Sequence, residues 1–190
     1  MKIKSITKLT DFTWLNLFQA SVENGKGSSR KWIFASRQKS VTTDPCNHVD
    51  AVMIVPIHVA QDGTKRLVLI KEFRVPLRKF EIAFPAGLIE NNDPVKTAIK
   101  ELKEETGLVV TKILKTSSPT FSSSGLTDET LVFVFVECEG GLSQEHLEVG
   151  EEIEPFMVTF DEMKELEKDG LDFASKCYAV IQGIISKGFI

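Results

Sequence analysis

Cysteine is scarce in this chain, and the scarcity narrows the class of protein. The three cysteines are widely spaced and odd in number: Cys46, Cys138 and Cys177. They match neither the framework of a secreted disulfide-rich domain nor a metal-ligand motif. No apolar run reaches the length of a membrane span, and charges interrupt the first residues, where a signal peptide would be apolar. We therefore expect a cytoplasmic protein with buried thiols and no membrane partner.

Long runs of basic residues are also missing. Lysine and arginine number 23 against 27 acidic residues, for a formal net charge of -4. A general nucleic-acid binder would need a positive surface, so no nucleic-acid partner is expected. The 190 residues, 42% of them hydrophobic, suffice for one main domain with an appendage. A small anionic ligand would have to find its positive charge locally.

Residues 1–45 alternate between polar and apolar positions, with a turn signal at Asn24-Gly25-Lys26-Gly27. This pattern predicts a small antiparallel β-sheet that forms an N-terminal appendage. Such a sheet has too few residues for a core of its own. We expect it to pack on the rest of the protein or on a second copy of the chain.

Residues 46–190 are predicted to form the main domain. Near-continuous apolar runs at 51–57 and 67–70 indicate strands that are covered on both faces. Further strands are expected near 109–115, 131–138 and 156–160, with helices after Asp161 and from about Leu171 to Ser186. The mixed order of elements predicts an α/β (α+β) sandwich around a mixed sheet.

One helix is predicted over Asp93 to Thr106. Asp93-Pro94 provides an N-cap residue followed by proline in the first turn, and Gly107 is placed to end the helix. Helical spacing puts four apolar side chains on one stripe, which is predicted to face the core: Val95, Ala98, Ile99 and Leu102.

Three carboxylates lie together beside that stripe, while the lysines of the helix lie on the other side. Glu101, Glu104 and Glu105 occupy the last turns, where the helix dipole disfavours negative charge. Two carboxylates about 6 Å apart repel by roughly 2 to 3 kcal/mol at an effective dielectric near 20. Such an arrangement fits a hard cation, Mg²⁺ or Mn²⁺. The alternative is a solvated acidic face on which Lys100 pairs weakly with Glu104.

The residues before the helix add a glycine turn, Phe84-Pro85-Ala86-Gly87. From Gly87 through Leu108 the chain resembles the Nudix box, with Lys100 in place of an arginine, a loop one residue shorter, and Asp93 or Asn92 where the first glutamate is expected. This resemblance implies a Nudix-type α/β/α sandwich. It also implies metal ligands at Glu101, Glu105 and the carbonyl of Ala86, with Glu104 close by.

The wider sequence, including Leu69 to Arg74, is similar to the ADP-ribose and ADP-sugar pyrophosphatases of that family. In that branch the N-terminal sheet exchanges across a homodimer and helps to form the nucleotide pocket. The similarity implies that Trp32 stacks on adenine and that Arg37 and Arg74 lie near the substrate. One departure is Ala83, which stands where the family usually has a glutamate. Glu81 lies on the same face of the strand two residues earlier and would substitute only through a shift.

Two polar stretches match active-site loops of the branch. Residues 119–129 resemble a substrate loop and offer Glu129 as an extra carboxylate. Residues 148–152 resemble the acidic loop that supplies the general base, with Glu151 as the first candidate and Glu152 as the second. The implied reaction is the metal-dependent hydrolysis of a nucleoside diphosphate sugar, with ADP-ribose giving AMP and ribose 5-phosphate.

Two other functions remain open at this point. One is a pyrophosphatase for another nucleotide, such as a GDP-sugar or a dinucleoside polyphosphate. The other is a Nudix-fold nucleotide sensor with little or no hydrolysis, which Lys100, the shortened loop and Ala83 would favour.

Overall fold

The computed structural model describes residues 1–89 and 92–188. These residues form two compact units. The first unit comprises Met1–Ala51 and Pro119–Leu131. The second comprises Val52–Ser118 and Val132–Ile190, within which residues 90, 91, 189 and 190 are not described. No helix within the described ranges is long and apolar enough to cross a membrane.

The first unit is built on a three-stranded sheet with β2 in the middle, as the alternation predicted. Its strands are β1 (Lys2–Lys8), β2 (Asn16–Glu23) and β3 (Ser29–Ser36), all antiparallel. One face of β2 is buried through Phe18, Ala20 and Val22. The short strand β9 (Thr120–Phe121) belongs to this unit and pairs with Thr130 and Leu131.

The second unit contains a larger sheet in the order β11-β5-β4-β10-β8, with β6 paired to β5 and β7 paired to β4. The strands are β4 (Ala51–Val59), β5 (Lys65–Arg74), β6 (Lys79–Ala83), β7 (Ala86–Leu88), β8 (Val109–Thr116), β10 (Thr130–Glu139) and β11 (Ile153–Val158). The two apolar runs lie in β4 and β5, where Val52, Ile54 and residues 67–70 are fully buried. The mixed α/β class and the N-terminal antiparallel sheet are thereby confirmed.

The described part of the second unit contains the helices α1 (Pro94–Thr106), α2 (Phe160–Glu165), which continues into a 3-10 turn at Leu166–Asp169, and α3 (Ser175–Lys187). The ends of α1 are those predicted. The Asp93 side chain accepts a hydrogen bond from the Lys96 backbone N–H. Gly107 has a φ of 77° and donates its N–H to the Lys103 carbonyl, so a residue that tolerates the left-handed region ends the helix.

Two predicted boundaries were wrong. Strand β11 begins at Ile153 and pairs along its length with β5, rather than beginning at 156. Helix α3 begins at Ser175 rather than Leu171. The residues before it are extended because Asp172 and Ala174 exchange backbone hydrogen bonds with Ile82 of β6. Pairing with a strand therefore replaces the first helical turn.

The cysteines are free thiols, but only two are buried. Cys138 and Cys177 are fully enclosed, whereas Cys46 is half-buried. The prediction of three buried thiols was wrong for Cys46.

Candidate functional site

The buried face of α1 is turned toward its acidic side. Ala98 and Leu102 are fully buried, and Glu105 is only 3% exposed. Ile99, predicted to face the core, is 43% exposed, and Val95 is half-buried. The predicted stripe was therefore centred on the wrong side of the helix. The helix packs on β7, β8 and β11 through a face that includes the Glu105 carboxyl group.

Glu105 is the most enclosed carboxyl group of the candidate site. Its Oε2 accepts a hydrogen bond from the Ala86 backbone N–H at 3.3 Å. Burial raises the pKa of Glu105 well above its ordinary value, and the negative charges of Glu72, Glu101 and Glu151 raise that pKa further. The hydrogen bond from Ala86 opposes the rise. The fold therefore holds an acidic side chain where ionisation is unfavourable without a compensating cation.

Glu101 lies directly over Gly87. A Cβ atom placed on Gly87 would overlap the Glu101 carboxyl group, so only glycine allows this close approach. Burial raises the pKa of Glu101 to about 7, with Lys100 opposing the rise and Glu104, Glu151 and Glu148 adding to it.

Lys100 is a cation that lies beside two of these glutamates. Its Nζ lies 3.3 Å from Glu104 Oε2 and 3.9 Å from Glu101 Oε1. Glu104 Oε2 is nevertheless buried without a hydrogen bond. The ammonium group is therefore close enough to attract the Glu104 carboxylate electrostatically, but it is not oriented to donate a hydrogen bond to Oε2. Lys100 offsets the negative charge and leaves this oxygen without a donor.

The loop before β11 brings Glu151 to the cluster. The Glu151 carboxylate raises the pKa of Glu72, of Glu101 and of Glu105. Its Oε2 also accepts a hydrogen bond from the Glu148 backbone N–H at 3.0 Å. Glu152 contributes its backbone, since its carbonyl accepts a hydrogen bond from the Phe73 N–H, and its side chain is exposed.

Arg74 is held between two glutamates. Its Nη1 lies 2.6 Å from Glu72 Oε1, and its Nε lies 2.8 Å from Glu81 Oε1. Glu72 and Glu81 face each other across β5 and β6, so strand register creates the pair. Ala83, by contrast, packs in a buried cluster with Ile70 and Ile153. Glu81 therefore pairs with Arg74 two positions away from the place where the family has its glutamate.

Glu72 is the residue that sequence reasoning missed. Burial raises its pKa, Arg74 lowers it, and Glu81 and Glu151 raise it. Among the charges that act on Glu105, Glu72 has the largest effect. The available signal was an acidic residue shortly after the apolar run 67–70, directly before a phenylalanine and Arg74.

The donor set of this cluster suits a hard divalent cation. The side chains offer carboxylate oxygens, three of the carboxyl groups have raised pKa values, and one buried oxygen has no hydrogen bond. Among residues 1–89 and 92–188, no three Asp, Glu, His or Cys side chains converge as a formed metal site. Binding an ion here therefore requires the glutamate side chains to rotate toward a common point.

The remaining predicted residues lie in the first unit. Arg37 Nε lies 2.7 Å from Glu129 Oε2, so the fold joins two residues that are far apart in the chain. Trp32 on β3 is 40% exposed and lines a groove of about 790 Å³. The guanidinium of Arg30 lies 4.8 Å from the Trp32 ring centroid. A partly exposed aromatic ring can stack on a planar ligand.

Comparison with known proteins identifies relatives over most of the chain. A NUDIX domain family model matches residues 47–179. An ADP-ribose pyrophosphatase of Saccharomyces cerevisiae is 32% identical, across 97% of this chain and 83% of the relative. An ADP-ribose pyrophosphatase of Bacillus subtilis is 31% identical, across 87% and 83%. A crystal structure described as an ADP compounds hydrolase matches with a TM-score of 0.75 and 17% identity, across 100% of this chain and 98% of that one, which supports the fold.

Proposed function

The chain belongs to the Nudix family, and from that premise we propose that it is a metal-dependent hydrolase that cleaves the pyrophosphate of ADP-ribose into AMP and ribose 5-phosphate. The observation that carries the chemistry is the enclosed carboxyl group of Glu105 beside Glu72, Glu101 and Glu151. A solvated acidic face would not bury one of its members.

We propose that Mg²⁺, or Mn²⁺ in its place, is held by Glu101, Glu104, Glu105 and the carbonyl of Ala86. Carboxylate and carbonyl oxygens are the ligands these ions prefer. The bound cation would polarise the pyrophosphate and make a nearby water more acidic. Lys100 would then release the Glu104 oxygen that it now faces at 3.3 Å.

Glu151 is proposed as the general base that removes a proton from the attacking water. Its charge acts on three other carboxylates of the cluster. Glu152 is the second candidate: both side chains are exposed, but Glu151 and not Glu152 is among the charges that raise the pKa of Glu72, Glu101 and Glu105. A base of this kind contributes typically 10²- to 10⁴-fold to a rate.

Arg74 is proposed to bind a phosphate group. Its Nη1 and Nε contact the two glutamates, which leaves Nη2 of the planar guanidinium to donate elsewhere. The glutamates fix the plane of the guanidinium, so the arginine is oriented before substrate arrives.

Trp32, Arg37 and Glu129 are proposed to recognise the nucleotide. The groove beside Trp32 has a volume of about 790 Å³, which is within the range of small-molecule sites, and stacking on an aromatic ring is worth about 1 to 3 kcal/mol per base. Glu129 would orient Arg37 through their 2.7 Å contact. ADP-ribose is preferred to GDP-sugars and dinucleoside polyphosphates because two relatives that cover most of the chain are named ADP-ribose pyrophosphatases.

A substrate panel tests this proposal. The purified chain is incubated with Mg²⁺ and ADP-ribose, a GDP-sugar or a diadenosine polyphosphate, and the products are separated by chromatography. We expect AMP and ribose 5-phosphate from ADP-ribose at the highest kcat/KM, and loss of turnover by orders of magnitude in Glu105→Gln. Retained activity in that variant would refute the metal assignment, and a higher kcat/KM for another nucleotide would refute the substrate.

We further propose that the chain forms a homodimer in the cytoplasm, with residues 1–45 as the dimerisation appendage of a catalytic domain at 46–190. Large apolar side chains of the first unit are exposed, among them Phe12, Trp14 and Ile33, and the three cysteines are free. Light scattering during gel filtration would give the mass of one chain if the dimer proposal is wrong.

A further inference from the structure

Two neighbouring side-chain pairs join the end of β3 to the loop at residues 119–129. The Ser36 hydroxyl donates a hydrogen bond to Asp128 Oδ2 at 2.9 Å. The next residue, Arg37, places its Nε 2.7 Å from Glu129 Oε2. Two consecutive residues at the end of the strand are therefore bonded to two consecutive acidic residues of the loop, and all four belong to the first unit.

The backbone fixes the register of these pairs. The Ala35 N–H donates to the Leu126 carbonyl at 2.8 Å, and Ala35 forms a parallel bridge with Thr127. Because side chains alternate between the two faces of a strand, a shift by one residue would turn Ser36 away from its partner. The bridge therefore determines which acidic residue each side chain meets.

Ser36 is a fully buried hydroxyl whose donor and acceptor are both used. It is 0% exposed, and its oxygen accepts the Gln38 backbone N–H at 3.1 Å while its proton goes to Asp128. The second oxygen of that carboxyl group, Oδ1, is buried and has no hydrogen-bond partner within the described residues. A buried polar group without a donor is unfavourable. The position of the Asp128 side chain therefore depends on the Ser36 hydroxyl.

The second pair is more open to solvent. The side chains of Arg37 and Glu129 are 36% and 23% exposed, and an ion pair near the surface contributes little stability of its own. Two long side chains also have many rotamers from which the paired arrangement must be selected. The arrangement of this pair is therefore set by the backbone on either side, which the buried Ser36–Asp128 contact holds in place.

We propose that Ser36 is a positioning residue for nucleotide binding. It holds Asp128, and through the adjoining backbone it holds the Arg37–Glu129 pair in the arrangement that receives the nucleotide. This inference rests on the proposed function, which assigns Trp32, Arg37 and Glu129 to nucleotide recognition. Trp32 and Ser36 are four residues apart on β3 and so lie on the same face of the strand.

The division of the chain into units predicts which kinetic constant Ser36 affects. The glutamates proposed to hold the cation and to remove a proton belong to the second unit, whereas Ser36 and both of its neighbours in this contact belong to the first. Loss of the Ser36 hydroxyl therefore weakens the binding of the nucleotide and leaves the chemical step unaffected.

Steady-state kinetics of Ser36→Ala with ADP-ribose and Mg²⁺ test the proposal. We expect KM to rise about tenfold, the effect of losing a hydrogen bond to a charged group, while kcat stays at the wild-type value. Ser36→Thr keeps the hydroxyl in a residue that strands favour and should restore KM. Ser29→Ala changes an exposed serine of the same strand and is the matched control, expected to leave both constants unchanged. An unchanged KM in Ser36→Ala, a fall in kcat at constant KM, or an equal rise in KM in the alanine and threonine variants overturns the proposal.

A double variant separates positioning from a merely structural role. Arg37→Gln removes the ion pair with Glu129. In that background Ser36→Ala should have little further effect on KM, because residues that act through one contact are not additive. Additive effects of the two substitutions would show that Ser36 does not act through Arg37, and they would overturn the proposal.

Titration with AMP, followed by tryptophan fluorescence, measures nucleotide binding without hydrolysis. The chain has two tryptophans, Trp14 and Trp32, and Ser36→Ala should bind AMP about tenfold more weakly than the wild type. Absence of ADP-ribose hydrolysis by the wild type would refute the proposed function, whereas equal AMP affinities of the wild type and Ser36→Ala would refute the positioning role. Should urea unfolding show that Ser36→Ala does not fold, Ser36→Cys, whose thiol is a weak donor, replaces it with the same expected outcomes.

Discussion

The backbone N–H of Ala86 donates a hydrogen bond to the carboxyl group of Glu105 across 3.3 Å. This contact joins the beginning of β7 to the last turn of α1, and it places the glutamate on the buried face of the helix beside Leu102 and Ala98. The fold therefore positions the carboxyl group before any cation binds. Positioning a buried acid in this way costs stability, and the cost can be measured.

Replacing Glu105 by glutamine is expected to stabilise the metal-free protein. The amide keeps the shape and can still accept the Ala86 N–H, but it cannot ionise in a site that raises the pKa of the acid. In EDTA near neutral pH, the free energy of unfolding by urea should rise, because the folded state no longer has to hold an acid whose ionisation it disfavours. Adding Mg²⁺ should stabilise the wild type by mass action and leave the variant unchanged. Equal stabilisation of both proteins by Mg²⁺ would contradict the assignment of this residue as a ligand.

The stability of the metal-free protein should fall as the pH rises from about 4.5 to about 7. Burial raises the pKa of Glu101 to about 7 from an ordinary value of 4.5. A raised pKa means that the folded state holds the Glu101 proton more tightly than the unfolded state does. The stability that Glu101 contributes is therefore fully present below about pH 4.5 and is lost as the pH rises past about 7. The loss is at most about 3 kcal/mol, and solvent screening of the partly exposed carboxyl group lowers it.

Urea unfolding in EDTA at a series of pH values checks this expectation, with Glu101→Gln as the comparison. Between about pH 4.5 and 7, the free energy of unfolding should fall less steeply with pH in the variant than in the wild type. Parallel slopes for the two proteins would show that other groups carry the pH dependence.

Local chemistry made α1 predictable. Asp93, Pro94 and Gly107 act through the backbone within one turn of the helix, so their effect can be read from spacing. The orientation of the helix could not be read in this way. Ile99 is exposed and Glu105 is buried because the helix packs on β7, β8 and β11, whereas apolar periodicity alone centres the buried face on the hydrophobic residues.

Register explains why Glu72 was missed. The side chain becomes significant only when β5 pairs with β6, which sets Glu72 opposite Glu81 with Arg74 bonded to both. The sequence alone shows only that Glu72 lies two residues before Arg74. The pairing of the two strands turns them into a cluster beside Glu105, and no spacing rule within a single strand contains that information.

Gly87→Ala is expected to impair activity without unfolding the chain. The added Cβ overlaps the Glu101 carboxyl group, so the glutamate has to rotate away from its place over the turn. Because a misplaced catalytic group can cost about 100-fold, kcat should fall by one to two orders of magnitude. The control is Gly141→Ala, since a Cβ at that position meets nothing within 4 Å. Comparable kcat values in the two variants would show that the position of Glu101 is not critical.

Arg74→Lys is expected to raise KM more than it lowers kcat. Lysine keeps the charge but loses the planar group that contacts Glu72 and Glu81 at the same time. The substrate phosphate would then meet an unoriented ammonium, and KM should rise about tenfold. Arg66→Lys is the matched control, since it lies on the same strand outside the two-glutamate contact. A fall in kcat at constant KM would instead assign Arg74 to the chemical step.

Trp32→Ala is expected to weaken substrate binding by about 1 to 3 kcal/mol, or roughly 5- to 150-fold in KM, because the exposed ring face in the groove is the proposed platform for the base. Trp32→Phe should recover most of the loss, since a smaller aromatic ring still stacks. Lys31 is an exposed neighbour on β3 that does not line the groove, so Lys31→Ala should leave KM unchanged. Analogues of ribose 5-phosphate that lack a nucleobase should bind the wild type and Trp32→Ala equally. If KM rises as much in Trp32→Phe as in Trp32→Ala, stacking is not the interaction, and the tryptophan serves the packing of the first unit instead.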